Sequence, residues 1–390
     1  MTSVLDIGVV IAGAGARGAY EAGLLSHVLP EVAARTRAEG SIARFAFVGT
    51  SAGSLNAALV AGRAPRVTAR TPPERVHALW AGAMAEVTKV WRGISEHHVI
   101  GPRPSGRLLG ALTRALPGVH LPLVSVLNVD PLVALAHDAT VVDWAAVHER
   151  VADGTIAAVG AATTARDGRT VVFLDRHDTS RTIPRDEHRD IDYADVPGGL
   201  SAEHVLASSA IPAAFPAQRV THPVEWAGWY LDGGVRLNTP LKPALALGLA
   251  RLLVVGTHPD SYDRTARPDP AGPAPEVDEA VVPVVNQLMA DQLVQDLRTL
   301  RRRNALPGAT PVRHLFAGPA DLGTLAELSR TSATGLGATR VLRHLLTGPA
   351  RAELSSYLLF DPGYLRAAVE AGRLRATEVL ADGPTVPWQT

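Results

Sequence analysis

A serine stands in Gly49-Thr50-Ser51-Ala52-Gly53, between the apolar run Phe45 to Val48 and a second apolar run, Leu55 to Val60. The order is strand, sharp turn, helix, with Ser51 at the apex. Such a turn lifts a hydroxyl clear of its strand and offers it as a nucleophile for acyl transfer. Gly49 and Gly53, together with the small residues between them, let the turn close. In a chain with 35 glycines such a pentapeptide also arises by chance. The decision rests on three other segments.

A hydroxyl that attacks a carbonyl needs a place for the oxyanion and an acceptor for its proton. Val9 to Ala12 reads as a buried strand that runs into Gly13-Ala14-Gly15-Ala16-Arg17-Gly18, followed by a helical stretch from Ala19 to Leu29. A glycine-rich turn at a helix start aims several backbone N–H groups at one point, where the helix dipole also favours negative charge. An oxyanion or a phosphate would suit it. The spacing Gly13, Gly15, Gly18 also matches a dinucleotide fingerprint. That reading wants an acidic residue at the end of the second strand, which here ends Val48-Gly49-Thr50-Ser51 without one. The proton acceptor has a candidate in Asp232, which closes Tyr230-Leu231 and opens the turn Gly233-Gly234 before Asn238-Thr239-Pro240. By itself an Asp-Gly pair is the commonest of turn signals. The remaining segment, Ala207-Ser208-Ser209-Ala210-Ile211-Pro212, reads alone only as a packed loop.

Taken in this order, the four segments resemble the patatin-like phospholipase family. Its marks are a glycine-rich oxyanion loop ending in Arg-Gly, a Gly-x-Ser-x-Gly nucleophile and an Asp-Gly-Gly or Asp-Gly-Ala base. The resemblance covers roughly residues 5 to 257 and takes in Ala162-Thr163-Thr164, Arg169 to Phe173 and the block from Asp232 to Pro243. It implies a three-layer α/β/α core around a mainly parallel sheet, a helical cap and a helical C-terminal extension. It implies a lipid acyl hydrolase with a Ser51–Asp232 dyad, Ser51 forming the acyl-enzyme and Asp232 taking the proton. The amides of Gly13, Ala14, Gly15, Ala16, Arg17 and Gly18 would form the oxyanion hole. Arg17 would anchor that loop or meet a lipid head group. The family has three consecutive glycines, and here the middle one is Ala14. An amide survives that exchange, but a positive φ at residue 14 would be harder to reach.

Other chemistries are weighed on the same residues. A Ser-His-Asp triad would supply its histidine last, and after Asp232 the chain offers His258, His314 and His344. His258, just past the apolar run Leu252 to Val255, is the one serious candidate. It is set aside because the elbow follows a single earlier strand, which leaves the glycine turn without a task. Two alternatives to a lipid hydrolase remain: a thioesterase or small-ester hydrolase on the same fold, and a non-catalytic lipid-binding or scaffold protein. No histidine or carboxylate spacing reads as a metal site, so no cofactor and no calcium requirement are expected.

Composition narrows the partners. Thirty-eight basic residues balance 38 acidic ones, so no global field draws the chain to nucleic acid. The substrate is expected to be a lipid or other acyl ester, with transient contact to a membrane surface. The chain has no cysteine, which excludes disulfides and thiol chemistry. The N-terminal apolar run is used by the first strand, and no apolar stretch reaches about eighteen residues. A cytoplasmic protein, peripheral to a membrane at most, is expected. Oligomeric state is not readable.

Along the chain, residues 1–257 read as the catalytic domain, with 61–125 as a helical cap whose Trp91, Ile94, Val99 and Ile100 could line an acyl channel. Residues 258–277 read as a Pro-rich linker and 278–390 as a mostly helical C-terminal region. Within the last, Val281 to Asn304 has helical periodicity and Val312 to Phe316 suits one more strand.

Overall fold

The computed structural model describes residues 2–101, 125, 127–261, 284, 287–332, 352–353, 355–380 and 383–390. Its first strand, β1 (Ser3–Ile11), already carries the logic of the fold. Successive side chains leave a strand on opposite faces. Ile7, Val9 and Ile11 enter one apolar cluster and Val10 enters another. A strand buried on both faces belongs in a sheet covered on both sides, the usual state of parallel sheets.

That sheet contains β2 (Ser41–Thr50), β3 (Ala158–Ala165), β4 (Thr170–Arg176), β5 (Ile191–Asp195), β6 (Gln218–Val220), β7 (Gly228–Asp232), β8 (Arg251–Val255) and β9 (Arg313–Ala317). Its order runs β5-β4-β3-β2-β1-β8-β9, with β7 joined to β3 and β6. The pairs β1–β2, β1–β8, β2–β3, β4–β5 and β8–β9 are parallel; β3–β4, β3–β7 and β6–β7 are antiparallel. One face is covered by α1 (Gly18–Ala38), α2 (Ala52–Arg63), α3 (Pro73–Gly93) and the C-terminal helix Pro362–Leu380. The helices Leu241–Ala246 and Gln292–Asn304 cover part of the other. This is a mixed α/β architecture with a central, mostly parallel sheet between helices.

The stretch read as a cap divides in two. Helix α3 lies in the core layer: Trp80 sets its ring edge-on against Phe45 at 5.0 Å, and Val76, Met84 and Trp91 are buried. Residues 102–124 lie outside the described residues, as do 262–277 of the linker reading and 281–283 and 285–286 of the helix reading. Beyond residue 257, β9 extends the same sheet and Pro362–Leu380 packs along α1. Among the described residues no helix is long and apolar enough to cross a membrane.

The register of β3 positions the site. Its residues 158–164 pair with β4 along one edge. Along the other edge β2 pairs as far as Thr50 opposite Ala162, and β7 begins with Asp232 opposite Thr163. Two strands therefore meet end to end on one edge of β3. The residue that follows Thr50 is Ser51, and it emerges where β7 delivers Asp232.

Beneath the elbow lies a buried carboxyl. Glu21 on α1 is fully buried, and one of its oxygens accepts from Asn56 Nδ2 at 3.2 Å while the other has no partner. Asn56 also donates to the Gly18 carbonyl at 3.0 Å and accepts from the Trp91 indole at 2.7 Å. Burial pushes the Glu21 carboxyl well above its ordinary range, and the Asn56 hydrogen bond only partly opposes this. The folded state thus keeps a proton that the unfolded chain releases near pH 4, so stability falls as pH rises from there. Glu21→Gln removes that dependence. Its melting temperature is expected to exceed the wild type's at pH 8 and to converge with it towards pH 4, read by circular dichroism.

Candidate active site

Ser51 has φ 53° and ψ −127°, a left-handed backbone that a non-glycine residue adopts only when its surroundings impose it. The constraints can be named. Its N–H donates to Ser208 Oγ at 2.8 Å, and Ser208 Oγ donates to the Ala162 carbonyl on β3 at 2.6 Å. Its carbonyl accepts the Ser54 amide at 2.9 Å and so starts α2. A Cβ on Gly53 would run into the carbonyls of Ile11 and Ala12, and one on Gly49 into that of Gly53. The turn closes because its glycines let backbone touch backbone at the end of β1.

Asp232 is tied down just as closely. Its N–H donates to the Ala210 carbonyl, and its own carbonyl accepts from Thr164 Oγ1, each at 2.9 Å. Carboxylate Oδ1 accepts the Gly234 amide at 2.6 Å. Gly233 lies with its Cα against the Ala162 carbonyl, where a side chain would collide. Burial raises the Asp232 carboxyl to about 6, against the pull of its hydrogen bonds with the Ser51 hydroxyl and the Gly234 amide. A carboxylate poised near neutrality and in contact with a hydroxyl can take that hydroxyl's proton.

Ser208 and Ala210 thus hold both halves of the pair. The segment 207–212 is more than packing: it ties Ser51 to β3 through Ser208 and holds Asp232 through the Ala210 carbonyl. No spacing pointed to this, because the bonds run through one hydroxyl and one backbone carbonyl.

The glycine-rich loop is more selective than six amides. Gly13 donates to the Asn238 carbonyl and Ala16 to the Tyr357 carbonyl, both at 2.8 Å. Arg17 donates to Ala14 at 3.0 Å, and Gly18 donates back into the turn, to Gly15 and Ala16. Among the described residues only the Ala14 and Gly15 amides of this loop have no acceptor. Four of the six amides expected to form an oxyanion hole are therefore engaged within the protein, which leaves those of Ala14 and Gly15. The positive φ of the loop falls at Gly15, at 53°, whereas Ala14 has φ −142°, open to any residue. A Cβ on Gly15 would also overlap the Tyr357 carbonyl. Alanine is accommodated at 14 because the strain sits at 15.

Arg17 meets no solvent, being 1% exposed, which rules out head-group contact and a surface position alike. It faces Glu353, Ser356 and Tyr357 instead. His258, the alternative triad member, has its Nε2 2.9 Å from the Tyr357 hydroxyl. A wide crevice of about 430 Å³ opens over Ser51, Asp232 and the Gly13–Gly15 turn, walled by Ile211, Pro212, Val235, Met289 and Leu358. A second hollow of about 50 Å³, also bordered by Ser51, is lined by Leu55, Trp91, Val99, Leu132, Phe215 and Phe360. Of the four residues proposed for an acyl channel, Trp91 and Val99 reach this hollow, while Ile94 and Ile100 are buried in the core. Among the described residues no three His, Asp or Glu side chains are grouped to hold a metal ion.

The profile described as patatin-like phospholipase matches residues 9–245, and the chain belongs to that family. No curated protein sequence matches the chain. Among solved structures, VipD from Legionella pneumophila is similar with a TM-score of 0.31 and 12% identity, over 96% of this chain and 66% of that one. The chain thus spans slightly less than two thirds of the VipD chain.

The loop geometry separates two neighbouring substitutions. Ala14→Gly should leave ester turnover within about threefold, since added backbone freedom costs only about 0.5–1 kcal/mol. Gly15→Ala keeps its amide but forces it out of place, because the Cβ meets the Tyr357 carbonyl at a positive φ; turnover should fall about a hundredfold, the scale of one misdirected oxyanion donor. Initial rates on a soluble ester beside a thermal melt would check both; equal rates for the two variants would refute the assignment of strain to residue 15.

Proposed function

We propose that this protein hydrolyses carboxylic esters of lipids through a Ser51–Asp232 dyad. The observation that carries the reading is the junction on β3, where a strained serine meets a buried carboxylate beside two unengaged amides. Membership of the patatin-like phospholipase family supports the lipid class of substrate.

The chemistry follows from the positions. Asp232 takes the Ser51 proton as Oγ bonds to the ester carbonyl carbon, and the carbonyl oxygen becomes an anion. The Ala14 and Gly15 amides receive that anion, and the dipole of α2, which starts at Ser51, favours negative charge at the same place. Collapse of the tetrahedral species breaks the ester C–O bond, and Asp232 returns its proton to the departing alcohol. Water then attacks the acyl-Ser51 ester, again giving a proton to Asp232, and the fatty acid leaves with Ser51 restored. The apolar walls of the two hollows that border Ser51 suit the hydrocarbon of a lipid ester.

The pH dependence has a definite sign. Asp232 works as a base only when ionised, so kcat/KM should rise with pH along a limb centred at about 6. Ser51→Ala should abolish acyl release from mixed phospholipid vesicles. Asp232→Asn should lower it by about two to four orders of magnitude, with both variants folded. A folded Asp232→Asn with wild-type turnover would remove the dyad, and vesicles left intact by the wild type would move the substrate to soluble esters or thioesters.

A further inference from the structure

We infer that Glu353, Ser356 and Tyr357, from beyond the region matched by the family profile, are positioning residues that aim the Ala14 and Gly15 amides. The inference rests on the hydrolase reading above and adds to it a part of the chain that the four motifs do not contain.

The loop is pinned at two places. On one side Gly13 donates to Asn238, on the other Ala16 donates to the Tyr357 carbonyl, both at 2.8 Å. Only Ala14 and Gly15 lie between the pins, so their direction depends on where those two acceptors stand. Asn238 follows the Asp232 turn and moves with the core. Tyr357 is more than 330 residues away along the chain and needs its own fixing.

Arg17 supplies it, from the same loop. Its Nε and Nη2 donate to Ser356 Oγ at 2.9 and 2.7 Å, and Nη1 donates to the Tyr357 hydroxyl at 3.2 Å. The guanidinium also lies over the Tyr357 ring, 4.0 Å from its centroid. Nη2 donates to the Glu353 carbonyl at 3.2 Å and stands 2.8 Å from Glu353 Oε1. Loop and segment lock each other: the loop holds the segment by a side chain, and the segment holds the loop by a carbonyl. A guanidinium suits this task where an ammonium does not, because its planar fork reaches several acceptors at once. All four side chains are at most 8% exposed, so water does not compete for these bonds.

The same segment walls the site. Tyr357 and Leu358 border the wide crevice and Phe360 the narrow hollow. Displacing it would therefore alter the oxyanion donors and the substrate walls together; Ser356→Ala and Arg17→Lys touch the lock alone, while Tyr357→Phe also gives up the hydroxyl's contact with His258 Nε2.

The test uses the full chain carrying Ser356→Ala, Tyr357→Phe or Arg17→Lys, with kcat and KM measured on a soluble ester. In parallel, the rate of Ser51 labelling by a fluorophosphonate and amide exchange over residues 13–18 are followed. We expect kcat and labelling to fall about ten- to a hundredfold with KM within about threefold, and exchange at Ala16 to quicken. The pH limb should stay near 6, since Asp232 is untouched. Wild-type kcat in all three variants would overturn the inference, as would losses that merely follow a lowered melting temperature. If the wild type itself neither turns over esters nor takes the label, the hydrolase reading fails and the inference falls with it; a working wild type beside unaffected variants sinks the inference alone.

Discussion

One edge of β3 carries two strands end to end, and the site depends on that junction. A parallel strand reaches β3 from one end and an antiparallel strand from the other, so β2 and β7 bring their last residues to one point. No long loop has to find a partner across a cleft. The hydroxyl and the carboxylate are placed by ladder hydrogen bonds, which are cooperative and shielded by apolar layers on both faces. The bonds from Ser208 and Ala210 then hold the junction laterally.

Such a junction has an energetic cost that the rest of the fold must offset. Moving the Asp232 carboxyl from 3.8 to about 6 corresponds to about 3 kcal/mol disfavouring the charged form. The left-handed serine adds roughly 1–3 kcal/mol more. Both costs fall at the ends of strands β2 and β7, beside a core in which Val9, Ile11, Phe47, Val48 and Ala161 are essentially inaccessible. Burial of an apolar side chain contributes roughly 1.5–3 kcal/mol each, so a handful of core residues cover the deficit. Stability and reactivity thus have one source. The dry core that supports the strain is also what raises the carboxyl into a useful range.

What could be read from the sequence follows from how local each feature is. β1, β2, the elbow and the Asp232 turn were legible because each is a contiguous run whose residue types state its geometry: an unbroken apolar stretch, then a glycine turn around a polar residue. Val312 to Phe316 was legible as a strand for the same reason and is β9. The role of Ser208 was not legible, since a serine in a run of small residues states nothing about which amide it will meet. Nor was the burial of Arg17, whose partners lie at 353 to 357. That helix α3 packs into the core layer is hard to read, because its buried residues, Val76, Trp80, Met84 and Trp91, are spread among alanines that blur the stripe. Which loop amides stay free depends on acceptors at Asn238 and Tyr357, far from the loop in the chain.

The loop illustrates why a motif is best translated into dihedral angles before it is judged. Three consecutive glycines allow a positive φ at any of three positions, but a given turn needs it at particular ones. Here it is needed at Gly15, where the αL backbone and the Tyr357 carbonyl together exclude a side chain. At residue 14 φ is negative, at −142°, and the side chain of Ala14 is buried against the core. The methyl group then has a favourable place instead of a clash, and it reduces the freedom of the unfolded chain as well. A departure from the family pattern at this position removes no donor and adds rigidity to one of the two amides left unengaged. The useful question about such a substitution is which torsion the missing glycine would have served, and at residue 14 it served none that alanine cannot adopt.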